Sequence, residues 1–271
     1  MMRSLYTAAT GMRAQQANVD NISNNIANVN TVGYKTQKME FKSLLYQTIQ
    51  TRTTTANGEE KPIPAQVGLG TRVASNTSVY TQGALQASES FSDFAIVGEG
   101  FFAVRGADGE TYYTRSGNFS WNVGVNGRTL STADGYPVLD SAGKPIILPE
   151  GIDASSVLVS SDNGLGYVNA QGNFVDMNQK IGLYQFNNPG GLDKLANSLL
   201  RETEASGAPI NEATNAAVEK STIKQKYLEG SNVQVADEMV NLIVAQRAYQ
   251  MNSKAITTSD EMLEQANNLK R

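Results

Sequence analysis

Both ends of this chain place apolar side chains in steps of seven, unlike the region between them. Leu5, Met12, Val19 and Ile26 make one row, and Ala8, Gln15, Ile22 and Val29 make the row three places on. Leu242, Tyr249, Ile256 and Leu263 repeat the pattern near the C-terminus, flanked by Met239, Ala245, Met262 and Ala266. A seven-residue repeat split three and four keeps one stripe of a helix turned toward a neighbouring helix. The helix breakers respect the same division: all seven prolines fall between Pro62 and Pro209, and no glycine follows Gly230. The ends therefore predict helices made to pair, and the middle predicts a separate β-rich body. The class is α+β, with the N- and C-terminal helices paired as a coiled coil around an inserted antiparallel β domain and an extended connector.

Composition narrows the chemistry. A formal net charge of −4 provides no basic field for nucleic acid or an anionic membrane surface. There is no cysteine and no histidine. Disulfides, thiolate metal sites and thiol nucleophiles are thereby absent, as are the commonest metal ligand and the commonest general base near neutral pH. No apolar run approaches the roughly 18–20 residues of a membrane span, so direct membrane insertion is not expected. The first residues are basic and free of acid until Asp20, as in a transit peptide, but they lack the apolar core and cleavage site of a secretory signal. The heptad running through them marks the segment as a working part of the protein. No Gly-x-Ser-x-Gly elbow or zinc-protease motif occurs, and Asn188–Gly191 and Gly68–Gly70 read as turns without nucleotide-loop spacing. No catalytic, cofactor-binding or metal-binding residue is predicted.

Along the chain, a first helix is expected from about Ser4 to Val29. Gly11 inside it costs about 1 kcal/mol relative to alanine; it is either a tolerated glycine or the place where another helix comes close. Asn18, Asn21, Asn24, Asn25 and Asn28 crowd this helix although asparagine is a mediocre helix former. Asn21, Asn25 and Asn28 share a strip, either a solvated polar face or an amide ladder reaching neighbouring chains. Asn30 or Gly33 suits a left-handed cap. Residues 34–70 read as a connector with a mixed apolar pattern (Met39, Phe41, Leu44, Leu45, Ile49). A hairpin is expected at Asn57-Gly58, and an edge segment at Pro62 and Pro64. Strands are predicted at Phe94–Val97, Phe101–Val104, Thr111–Thr114, Phe119–Val123, Pro137–Leu139 and Ile146–Leu148. Glycine-bearing turns such as Asp108-Gly109, Asn126-Gly127 and Asp134-Gly135 separate them.

Two or three more strands follow in 155–186, and residues 187–220 are expected to loop over the surface. Lys224–Val235 should be extended, with the last helix starting near Asn232 to Ala236. Asp237 and Glu238 in its first turn, and Lys270 and Arg271 at its end, complement the helix dipole. The segments are thus 1–33, 34–70, 71–225 and 226–271. Met1, Met12, Met239, Met251 and Met262 are expected as packing residues, and Trp121 as a strand-face anchor.

Three groups of residues carry a resemblance. They are Asn21-Ile-Ser-Asn-Asn-Ile-Ala-Asn-Val-Asn-Thr-Val-Gly-Tyr-Lys35, the pair Val97-Gly-Glu-Gly-Phe-Phe-Ala-Val104 and Tyr113-Thr-Arg-Ser-Gly-Asn-Phe119, and Glu229-Gly-Ser-Asn-Val-Gln-Val-Ala-Asp-Glu-Met-Val240 with Gln246-Arg-Ala-Tyr-Gln-Met-Asn-Ser-Lys254. In this order they resemble the flagellar axial family of bacterial rod and hook proteins. Leu44-Leu-Tyr-Gln-Thr-Ile49 and the chain length are most similar to the distal rod members, with a proximal rod or hook subunit as the alternative. The resemblance implies a structural subunit that polymerises into a rigid hollow helical drive shaft, with terminal helices inside and the β domain outside. It also implies export through the flagellar type III apparatus without a cleaved signal, and residence in the basal body, where the rod crosses the periplasm. The implied partners are further copies of the chain, other rod and hook subunits, and the surrounding ring proteins. The residues expected to carry assembly are Leu5, Met12, Val19, Ile22, Ile26, Asn21, Asn24, Asn25, Asn28, Met239, Leu242, Tyr249, Ile256 and Leu263. The rival classes are an enzyme, for which no motif speaks, and a free-standing adhesin or fibre, which has no need to pair its own two ends.

Overall fold

A computed structural model of the chain describes residues 2–50, 65–124, 127–149, 151–160, 162–169, 173–215 and 218–269. The chain divides into two compact units. One comprises Met1–Ala27, Gln37–Thr77 and Gln234–Arg271; the other comprises Asn28–Thr36 and Ser78–Val233. Fold class is α+β: two α-helices and many antiparallel strands occur among the described residues.

The first unit holds both helices, α1 (Met2–Ala27) and α2 (Val235–Asn268), which pack on one another. Each lies within two residues of its expected position. Asp237 and Glu238 occupy the first turn of α2, where they complement the dipole. Lys270 and Arg271 lie outside the described residues. Among its described residues the connector forms three strands, β1 (Gln37–Ser43), β2 (Tyr46–Gln50) and β3 (Ala65–Gly68), and β4 (Thr71–Ser78) follows just past its expected end. β1 pairs with β4, and β2 pairs antiparallel with β3. The Asn57-Gly58 turn and the edge prolines Pro62 and Pro64 lie outside the described residues.

The second unit is built from short strands. In chain order they are β5 (Leu85–Ala87), β6 (Phe94–Val97), β7 (Phe101–Arg105), β8 (Thr111–Thr114), β9 (Phe119–Gly124), β10 (Gly127–Thr132) and β11 (Ile147–Leu148). They continue as β12 (Val157–Val159), β13 (Gly164–Val168), β14 (Phe174–Lys180), β15 (Leu183–Gln185), β16 (Asp193–Lys194), β17 (Leu199–Arg201), β18 (Ile210–Asn211), β19 (Thr222–Gln225) and β20 (Tyr227–Glu229). The largest sheet runs β16-β17-β8-β7-β15-β18, antiparallel throughout. Smaller sheets are β11-β10-β9, β12-β13-β14, β19-β6 and β20-β5.

The run Phe101-Phe102-Ala103-Val104 is apolar at every position because β7 is covered on both faces. Successive side chains point to opposite sides of a strand, so Phe102 and Val104 enter one core with Phe94, Phe119 and Leu130. Phe101 and Ala103 enter a second with Tyr113, Leu139 and Phe186. Edge-on aromatic contacts stitch each core: Phe102 to Phe119 at 5.1 Å between centroids, and Tyr113 to Phe186 at 4.8 Å. Trp121 packs, partly buried, against the first core.

Three expectations need correction. Residues 187–220 are more than a surface loop: they contribute β16, β17 and β18, which extend both edges of the large sheet, and bury Leu192 and Leu199. Their turn-rich composition hides strands of two or three residues, too short to show a period. Residues 137–139 form isolated bridges in place of a strand. Met239, Met251 and Met262 lie at the surface and outside the cores, 55%, 67% and 47% exposed.

Candidate assembly interface

α1 and α2 run antiparallel, and small and polar residues meet between them. The Ser4 and Ser259 hydroxyls lie 3.3 Å apart, and the Asn25 amide donates to Glu238 Oε1 at 3.4 Å. A Cβ on Gly11 would sit 2.8 Å from Asn252 Nδ2. Gly11 is therefore the close-approach glycine, the second of the two readings its position allowed. Ser4, Gly11, Asn18 and Asn25 step in sevens, and Glu238, Ala245, Asn252 and Ser259 do the same on the other helix. The seven-residue repeat is thus present, but the row at the seam is the small one, with the larger apolar rows beside it.

The expected assembly residues separate by environment. Ile22, Asn21 and Asn25 are buried, and Leu5, Met12, Val19, Ile26, Leu242, Ile256 and Leu263 are half-buried. Tyr249, Met239 and Asn24 are exposed. Asn28 belongs to the second unit, where its side-chain oxygen accepts a hydrogen bond from the Thr31 hydroxyl at 3.1 Å.

Two of the asparagines serve the chain itself. The Asn21 and Asn25 amides both donate to the Gln37 carbonyl, at 2.8 and 2.9 Å, and Asn25 Oδ1 accepts from the Gln37 N–H at 2.9 Å. Asn25 thus treats the first residue of β1 as a strand partner would, satisfying both of its backbone groups. Burial pushes the Glu238 carboxyl above its ordinary range, Asp237 adds to that, and the Asn25 hydrogen bond acts against it.

A second constellation lies inside the β-rich unit, in residues of the three motifs to which no role was assigned from sequence. Glu229 is fully buried. Its Oε1 accepts from Lys35 Nζ at 2.6 Å and from the Gly83 N–H at 2.9 Å, and its Oε2 accepts from Arg115 Nε at 2.8 Å. Arg115 also donates to the Gly98 and Gly100 carbonyls, and Lys35 to the Thr81 carbonyl. Burial works to raise the Glu229 pKa, but the Arg115 and Lys35 charges and hydrogen bonds outweigh it and hold the carboxyl below its ordinary range.

Asn232 repeats the arrangement without charge. Its Oδ1 accepts from the Thr36 N–H at 2.7 Å, and its amide donates to the Val79 carbonyl at 2.8 Å. Gly33 takes a φ of +70°, and a Cβ there would lie 2.6 Å from the Ser116 nitrogen. It stands six places beyond α1 and serves this junction, not the helix end, donating its N–H to the Glu229 carbonyl at 2.8 Å. Lys35, Arg115 and Glu229 each come from a different one of the three sequence motifs, so one ion cluster ties all three together. The available signal was partial: Lys35 is the lone charge of Asn21–Lys35 and Arg115 that of Tyr113–Phe119, whereas Glu229 shares its stretch with Asp237 and Glu238.

Both constellations hold segments of chain to one another. Among the described residues there is no group of three or more acidic side chains that could hold a metal, and no helix is long and apolar enough to cross a membrane.

Comparison with known proteins follows the same three segments. Residues 5–35 match a family model described as flagella basal body rod protein, and residues 95–170 match one described as flagellar hook protein FlgE/F/G D1 domain. Residues 224–269 match one described as flagellar basal body rod FlgEFG protein C-terminal. These matches mark the class: the rod and hook proteins of the bacterial flagellum. At full length the chain is 41% identical to the flagellar basal-body rod protein FlgG of Borreliella burgdorferi and 41% identical to that of Bacillus subtilis, covering 100% of each chain in both cases. It is 31% identical to the flagellar hook-basal body complex protein FlhP of Bacillus subtilis, over 97% of each chain. The chain belongs to the family of flagellar basal-body rod proteins FlgG.

Proposed function

We propose that this chain is a structural subunit of the distal rod of the flagellar basal body. Many copies polymerise into a rigid hollow helical tube that transmits motor torque to the hook. Within each copy α1 and α2 pair as an antiparallel coiled coil, and the unit that contains them supplies the tube wall. Leu5, Met12, Val19, Ile22, Ile26, Met239, Leu242, Tyr249, Ile256 and Leu263 divide between that pair and the contacts joining copies, with Asn21, Asn24, Asn25 and Asn28 beside them. The partners are further copies of the chain, other rod and hook subunits, the surrounding rings across the periplasm, and the type III apparatus that delivers it. The work is mechanical, and no catalytic step enters it.

The observation that carries this reading is the meeting of the two chain ends. Asn25 touches Glu238 across 213 residues of sequence, through rows that repeat in sevens on both helices. A contact of one surface with a different surface on the next copy generates a helical polymer when its rotation does not close into a ring. The test is to delete the gene in its flagellated host and image isolated basal bodies. The expected result is a rod that stops short of the hook; a full-length rod in the deletion strain overturns the proposal.

A further inference from the structure

α2 carries a second row of apolar residues that nothing among the described residues covers. Val240, Val244, Met251, Ala255 and Met262 advance by four, seven, four and seven places, so they too keep to one stripe of the helix. Val244 and Met251 each stand one place before a seam residue, Ala245 and Asn252. The row is therefore turned roughly 100° around the helix from the seam with α1. Val240, Val244 and Met251 are 59%, 62% and 67% exposed. Exposed apolar surface organised along a whole helix marks an interaction face.

The row's own geometry narrows the occupant. A stripe this long and regular fits another helix of matching period. Val240 to Met262 spans about 33 Å at 1.5 Å per residue, and Leu5 to Ile26 on α1 spans about 32 Å. The α1 row Leu5, Met12, Val19 and Ile26 also steps in sevens, carries no charge, and stands one place after the seam residues, half-buried. Apart from Tyr6 and Ala27, the exposed residues of α1 are polar, Arg13, Gln16, Asp20 and Asn24 among them. Tyr6 is thus its one large exposed apolar side chain among the described residues, and it belongs to no apolar seven-residue row. A second α2 is the alternative helix, but two identical faces meeting would close a symmetric pair and stop growth.

We propose that the outward row of α2 docks on the Leu5–Met12–Val19–Ile26 row of α1 in a second copy of this chain. The inference rests on the polymer reading above and names the faces that join its copies.

The absence of native cysteine makes the test clean. Each of Leu5, Met12 and Val19 is changed to cysteine in combination with each of Val244, Met251 and Met262, and rods are oxidised in isolated basal bodies. At least one pair is expected to give a ladder of covalently linked copies on a non-reducing gel, with the bridge mapped by mass spectrometry to α1 of one copy and α2 of another. Bridges between two α2 helices, or none in any combination, overturn the proposal. A second variant, Val244→Glu with Met251→Glu, is expected to leave monomer helicity and melting unchanged while rod yield falls at least tenfold. Normal rods from that variant overturn the docking face and leave the polymer reading standing; that reading fails separately, if deletion of the gene spares the rod.

Discussion

Glu229 has no exposed surface and two cations to itself, and that sets its sensitivity to change. Glu229→Gln leaves Lys35 and Arg115 buried without their counter-charge, and breaking a buried pair in this way costs about 3–5 kcal/mol. Urea unfolding followed by β-sheet circular dichroism should show that loss. Lys35→Met should cost less, because Arg115 still balances Glu229. The pH dependence follows from a carboxyl held below its ordinary range. Its stabilisation is in place above the usual glutamate pKa and is lost as pH falls through the depressed one, so Glu229→Gln should flatten the acid limb of the unfolding curve. Glu238 has the opposite sign. Its raised pKa means that its contribution is in place below the usual glutamate value and is lost as pH climbs through the raised one. Glu238→Gln keeps an acceptor for Asn25 and removes the charge. Helical melting of that variant should exceed the unsubstituted chain at pH 8 and match it at pH 4.

Between helices, size at the seam decides how close the backbones come. Gly11→Ala gains about 1 kcal/mol of helix propensity. The added carbon meets only the end of the Asn252 side chain, which can rotate away, so helicity by circular dichroism should hold or rise. Gly11→Leu has no such space and should separate α1 from α2, seen as lost helical signal with the β signal intact. The existence of both helices was legible in the sequence, because a seven-residue repeat over four turns or more has few competing explanations. The phase of the seam was not. Hydrophobicity pointed to the Leu5 and Ala8 rows, and Ala8 and Ile22 of the second are indeed buried, but it gave no sign that Ser4 and Gly11 also face α2. The asparagines were equally opaque: an amide that satisfies the first residue of β1 has the same one-letter signature as one facing water. The exposed methionines of α2 differ from core methionines only in which way the helix is turned, and a single chain's pattern does not encode that.

For the molecule as a whole, the β-rich unit has its own two cores and its own ion cluster, and it draws on residues 28–36 as well as 78–233. A fragment spanning 28–233 therefore keeps Lys35, Arg115 and Glu229. It should melt cooperatively with a β-type spectrum and sediment as a monomer at all concentrations; a fragment without a cooperative transition would show that the terminal helices are needed for the unit to fold. The turn-dense middle announced an antiparallel β body, but its sheet order and the closing of three motifs on one carboxylate depend on contacts that no local window contains. Lys35 and Glu229 are 194 residues apart, and Arg115 and Glu229 are 114 apart. Nearly the whole polypeptide has to be translated before either cation meets its counter-ion, and pairings this distant form slowly. A chain still being synthesised short of Glu229 therefore carries Lys35 and Arg115 with no counter-charge to hold them.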